Sequence, residues 1–161
     1  MIENLFPILI FTALLGSGLI AGLFFAFSAF VMKALYRLPP EQGISAMQSI
    51  NNVVLNRLFF TVFMGTSLVC ILLVIISLFN WQEPNAIYIL AGSLFYLLGS
   101  LLVTAVCNVP LNDALANIRA TDAESLELWK DYYLKWTAWN HVRTISSLAS
   151  SALFVFVLWR I

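Results

Sequence analysis

Leu58 to Phe79 reads LFFTVFMGTSLVCILLVIISLF, an unbroken apolar stretch without a single charged side chain. A helix needs about 20 predominantly apolar residues to cross the hydrocarbon of a bilayer, so this stretch is long enough to span one. Working outward, Leu5 to Met32 and Ala86 to Cys107 are equally free of charge. Thr144 to Trp159 is uncharged but short, and it crosses only if Asn140, His141 and Arg143 are drawn to or just inside the interface. The predicted fold class is therefore all-α: a four-helix transmembrane bundle, with amphipathic cytoplasmic helical extensions. We expect one domain over residues 1–161, with spans at about 5–32, 57–80, 86–108 and 140–160.

Composition agrees with lipid as the main solvent. The chain is 61% hydrophobic and 10% charged, against about 25% charged in soluble domains. Eight basic residues balance eight acidic ones, which offers no electrostatic case for nucleic acid. The N-terminus lacks a basic leader region, carries Glu3 and runs apolar well beyond a signal-peptide core, so it reads as a span. Cys70 and Cys107 each sit inside an apolar run and read as small packing residues, with a disulfide only if their helices meet.

The positive-inside rule sets orientation. Lys33, Arg37 and Arg57 follow the first span, and Arg119, Lys130, Lys135 and Arg143 follow the third. The link from Asn80 to Asn85 has Glu83 and no basic residue. Both long connections are thus expected in the cytoplasm of a plasma membrane, with both termini outside and Trp81, Tyr88 and Trp159 in the outer aromatic belt. After Pro39 and Pro40, Ile44, Met47, Ile50 and Val54 recur at helical spacing. In the second connection Thr121 and Glu124 could form a capping box, ahead of Leu126, Trp129, Tyr133 and Trp136 on one face. Each connection reads either as an extension of the helix after it or as an interfacial anchor. Gly18-x-x-x-Gly22 in the first span, and Gly92, Gly99 and Ser100 in the third, predict close helix approach within or between chains.

Antiparallel threading brings the uncommon polar residues to one membrane level. The second span enters with Gln48, Asn51, Asn52, Asn56 and Arg57; the third leaves with Thr104, Asn108, Asn112 and Asp113. The fourth enters with Trp136, Asn140, His141, Arg143 and Thr144. Pro110, between two asparagines, predicts a kink or pocket because it frees backbone carbonyls. Polar groups converging from several membrane helices form either a hydrogen-bonded cap or a ligand site. A metal could draw only on His141 with Asp113 and an amide, so none is expected.

These same residues carry a family likeness. The run Ala21-Gly22-Leu23-Phe24-Phe25-Ala26-Phe27-Ser28, the stretch Met47-Gln48-Ser49-Ile50-Asn51 with Asn56, and the run Asn108-Val109-Pro110-Leu111-Asn112 are three of its parts. With Trp136 and Trp139-Asn140-His141-Val142-Arg143-Thr144, they resemble the anthrone oxygenase-like family of small four-span membrane proteins. The resemblance implies oxidation of an anthrone to an anthraquinone by dioxygen, without metal or flavin and hence with no cofactor. On that implication His141 is the expected base. Arg143, Asn108 and Asn140 would stabilise the enolate, and Asp113 would orient His141 or pair with Arg143. Gln48, Asn51, Asn56, Asn112, Trp136 and Thr144 would line the substrate pocket. The expected partners are the lipid bilayer and a lipophilic aromatic or quinol-like molecule. The competing expectation is a non-enzymatic membrane subunit or lipid-binding module, in a homo-oligomer or larger complex. A transporter is disfavoured, because four spans without a repeat leave little machinery for alternating access.

Overall fold

The computed structural model describes residues 2–122 and 125–160, with side chains from Phe6 onward. Among the described residues all regular structure is helical. Four helices among these residues are long and apolar enough to cross a membrane: Phe6–Tyr36, Arg57–Phe79, Ala86–Ala116 and Ser125–Arg160, here the first to fourth spans.

The bundle mixes small polar side chains with an apolar core of Ile10, Phe63, Leu73, Ile89 and Phe154 inside, and is apolar outside. Ser17, Thr66, Ser67, Ser93, Ser100, Asn140, Ser147 and Ser150 are buried, while Phe11, Leu19, Leu68, Leu98 and Ile145 face outward. Water drives no segregation between helices in lipid, so small residues and hydrogen bonds rather than leucines select the contact faces. A Cβ at Gly16 would overlap Thr66 of the second span, and one at Gly99 would overlap Ser146 of the fourth. Those two glycines therefore set how closely the spans approach. Gly22 has nothing within 4 Å of such a Cβ, so the Gly18-x-x-x-Gly22 spacing is not a contact seam within this chain. Cys70 and Cys107 are both free.

The two long connections differ. Pro40–Val54 is a separate helix that buries Ile44 and Met47. It is not continuous with the second span, because Asn56 turns extended and its Oδ1 accepts from Phe59 N–H at 3.0 Å, capping a new helix. The second connection runs without a break into the fourth span, giving one helix of 36 residues. The Thr121–Glu124 capping box extends outside the described residues.

Among the described residues three wide π-type turns interrupt the α-helical register, at Phe27–Val31, Leu97–Leu102 and Thr104–Asn108. Pro110 does not end the third span. It sits in the first turn after the last of these, and the helix continues from Val109 to Ala116. A π turn adds a residue and re-aims the face that follows, so it accommodates the N–H that proline lacks without breaking the helix.

Candidate functional site

The fourth span supplies the centre of the site. At about 100° per residue, Trp136, Asn140, Arg143, Thr144 and Ser147 fall within one arc of the helix, and all five are buried. Arg143 is only 4% exposed. Its Nη2 donates to Asn140 Oδ1 at 2.7 Å, and its Nη1 donates to Thr104 Oγ1 at 3.2 Å. The guanidinium carbon lies 4.2 Å from the centre of the Phe24 ring and 5.0 Å from that of Trp136. Asn140 in turn donates to Phe24 O at 2.7 Å and Ser28 Oγ at 2.8 Å, and Ser28 meets the Thr144 hydroxyl at 3.0 Å. Asn108 donates to Trp136 O at 3.2 Å. Ser28, Thr104 and Asn108 all lie in π-type turns, whose displaced register aims them at the fourth span.

This upper tier is incomplete as a hydrogen-bonded unit. Arg143 Nε and Asn108 Oδ1 are buried without a partner. No carboxylate pairs with the guanidinium: among the described residues the ion pairs are Lys130–Glu127 and Lys135–Asp131, both exposed. The polar end thus holds a desolvated cation whose Nε has no acceptor, and a carboxamide oxygen that has no donor.

A lower tier, nearer the connections, is filled by its own bonds. Asn112 Oδ1 accepts from Tyr132 Oη at 2.9 Å and from Trp136 Nε1 at 2.8 Å. Asn51 approaches the same Tyr132 hydroxyl. Gln48 Nε2 donates to Leu115 O at 2.8 Å and Ile118 O at 3.1 Å, closing carbonyls at the end of the third span. Trp129, Tyr132 and Trp136 stack alongside, with centroids 5.7 and 6.2 Å apart.

The sequence of the second to fourth spans decides the relationship. Residues 57–153 match the family described as Anthrone oxygenase. The chain belongs to the anthrone oxygenase family. Neither the curated proteins nor the solved structures yield a match. The matched region carries Thr104, Asn108, Asn140 and Arg143. In this anthrone oxygenase family chain, Phe24 and Ser28 complete the upper tier from the first span, outside that region.

Of the residues expected to converge, Gln48, Asn51, Asn108, Asn112, Trp136, Asn140, Arg143 and Thr144 come together in the two tiers. Three do not. His141 is exposed, because the step from Asn140 turns it about 100° away from the buried arc. Asp113 is exposed one residue beyond Asn112 for the same reason, so it neither orients His141 nor pairs with Arg143. Asn56 is exposed and serves as a helix cap. No group of three or more His, Cys, Asp or Glu among the described residues is placed to hold a metal ion. Sequence reasoning missed Phe24, Ser28 and Tyr132 as partners. The four-residue spacing of Phe24 and Ser28 was the available signal, and it was hidden among aromatic neighbours.

Proposed function

We propose that this anthrone oxygenase family member is a cofactor-independent oxygenase of a lipophilic aromatic or quinol-like substrate, and that Arg143 binds the substrate's oxygen as an oxyanion. One observation carries the reading: the guanidinium is buried, held in place by Asn140 and Thr104, and has no carboxylate partner among the described residues. An ion removed from water without a counter-charge costs several kcal/mol, which an anionic ligand would offset. A fixed cation in a site of low dielectric stabilises an enolate far more than water would. Phe24 and Trp136 give an aromatic substrate flat apolar surfaces beside that charge.

The chemistry balances with dioxygen as the oxidant. The substrate's CH2 group loses a proton to give an enolate, whose carbon bonds to dioxygen and picks up a proton as a hydroperoxide. Loss of water then leaves a carbonyl, so one oxygen atom is retained and the other departs in water. His141 faces away, so Arg143 promotes deprotonation by lowering the substrate's own pKa, and the proton passes to water at the polar end. The basic residues of the two connections gather at this same end, which we place in the cytoplasm, with the plasma membrane as the host bilayer. Lipid concentrates both an apolar substrate and oxygen around the bundle.

The test is turnover of an anthrone by the protein in lipid nanodiscs under isotopically labelled dioxygen. Label in one product carbonyl, lost in Arg143→Gln, is the expected result; an unlabelled product, or full activity in the variant, overturns the assignment. A second reading, a non-enzymatic membrane subunit, is favoured by the open space over outward-facing Gly22. It requires a partner that copurifies with the wild type and is lost in Gly22→Leu.

A further inference from the structure

Six of the eight buried polar atoms without a partner among the described residues belong to enclosed residues of the third and fourth spans: Ser93, Ser100 and Ser150 Oγ, Asn108 Oδ1, Arg143 Nε and Ser147 Oγ. The register between the two spans fixes their order. Asn108 bonds to Trp136, Thr104 to Arg143, Gly99 abuts Ser146, and Gly92 abuts Leu153 and Phe154. Ser100 is therefore level with Ser147, Ser150 lies the next step inward, and Ser93 follows. At about 1.5 Å per residue, the line from the level of Trp136 to Ser150 is about 20 Å long.

These serines behave differently from the others. Ser67 and Ser77 donate to their own helix at 2.9 and 2.8 Å, the usual arrangement for a hydroxyl in a membrane helix. Ser93, Ser100, Ser147 and Ser150 make no such bond, although each is completely buried. A hydroxyl removed from water without a partner is costly, and several in one line with a guanidinium form a polar seam suited to water, which needs two to four such groups. Buried ionisable residues in membrane helices commonly face water for the same reason.

We infer that this line of enclosed polar groups, carried by the third and fourth spans inside the bundle, binds a file of water molecules running from Asn108 past Arg143 to Ser93. The file solvates the guanidinium before a ligand arrives and carries a proton between the Arg143 site and the polar end. It rests on the proposed oxygenase only for the use of that proton; the hydration itself does not depend on turnover.

The experiment is water-edited solid-state NMR on the labelled protein in lipid bilayers, without substrate. Polarisation from water should reach Ser100, Ser147, Ser150 and Ser93 and fail to reach Ser67 and Ser77. Absence of transfer to the four seam serines overturns the proposal, as does equal transfer to all six. In Ser147→Ala, a change small enough to keep the fold, transfer to Ser150 and Ser93 should be lost while that to Asn108 persists. If Ser150 and Ser93 remain wet in that variant, the waters do not form a file. Failure of oxygenation alone would leave these signals unchanged, so the two ideas fail separately.

Discussion

Replacing Arg143 by methionine separates a structural guanidinium from a functional one. The variant keeps most of the side-chain length but removes the charge, the bonds to Asn140 at 2.7 Å and Thr104 at 3.2 Å, and the contacts with two rings. Hydrogen bonds to a charged group contribute about 1.5–3 kcal/mol each. The two ring contacts add about 0.5–2 kcal/mol each. Against this gross loss of about 4–10 kcal/mol stands the relief of burying an unpaired ion, itself several kcal/mol. Asn140 Oδ1 is left without a donor, which costs about 1–3 kcal/mol. The expected net change is a destabilisation of about 1–3 kcal/mol, small enough for the bundle to persist. Turnover should fall about 100- to 1000-fold, the effect of removing one oxyanion donor. Thermal unfolding in nanodiscs and oxygen uptake on the same sample check both parts. A variant that unfolds outright, or one that folds and oxidises substrate at the wild-type rate, would falsify the assignment of Arg143 as the oxyanion holder.

Further substitutions bear on the surrounding residues. His141→Ala should leave oxygen uptake within about twofold and stability within about 0.5 kcal/mol, since the ring is exposed; a large loss of rate would return it to the site. Asn112→Ala strips the acceptor from both Tyr132 and Trp136 and should cost about 2–4 kcal/mol in a denaturation titration. Asn140→Asp places a carboxylate against Arg143 and should weaken binding of an anionic substrate analogue by at least about tenfold, measured by calorimetry; undiminished affinity would mean the anion binds elsewhere. Gly99→Ala meets Ser146 and should cost about 1–3 kcal/mol, whereas Gly22→Ala meets nothing and should stabilise by about 0.4–1 kcal/mol.

The bundle was legible because the bilayer imposes a single rule, apolar length, on each span. The long charge-free runs around Leu58 and Ala86 needed no tertiary information. Asn140, Arg143 and Thr144 were also legible as one face, since the fourth span is a regular helix there. His141 was misplaced by its chemistry: an imidazole beside an arginine suggested a base, but adjacent residues on a helix diverge by about 100°. Pro110 was read as a kink or pocket because it frees backbone carbonyls, and the structure has a π turn next to it with the helix continuing beyond. No periodicity in the sequence announces those wide turns, and they decide where Ser28, Thr104 and Asn108 point. The seam serines were hidden for a different reason. Arg143, Ser147, Ser150 and Phe154 follow ordinary helical spacing, and only the register against the third span shows which hydroxyls lack a partner.

The contrast between the two tiers argues for where function lies. If the whole polar end were a cap that fastens helix ends, each tier would be closed by its own bonds. The lower tier meets that description, with Gln48 and Asn112 each engaging two groups. Arg143 and Asn108, less than two helical turns from Trp136, are equally buried and yet keep an open donor and acceptor. A cation also costs far more to bury than an amide, so a cap built from it would be an inefficient fastener. The lower tier then has a supporting role: Asn112 fixes the Trp136 indole, and Trp136 forms one wall for the guanidinium. Asn112→Asp should accordingly shift the affinity of an anionic ligand at Arg143 without touching it, and an unchanged affinity in a folded variant would separate the tiers.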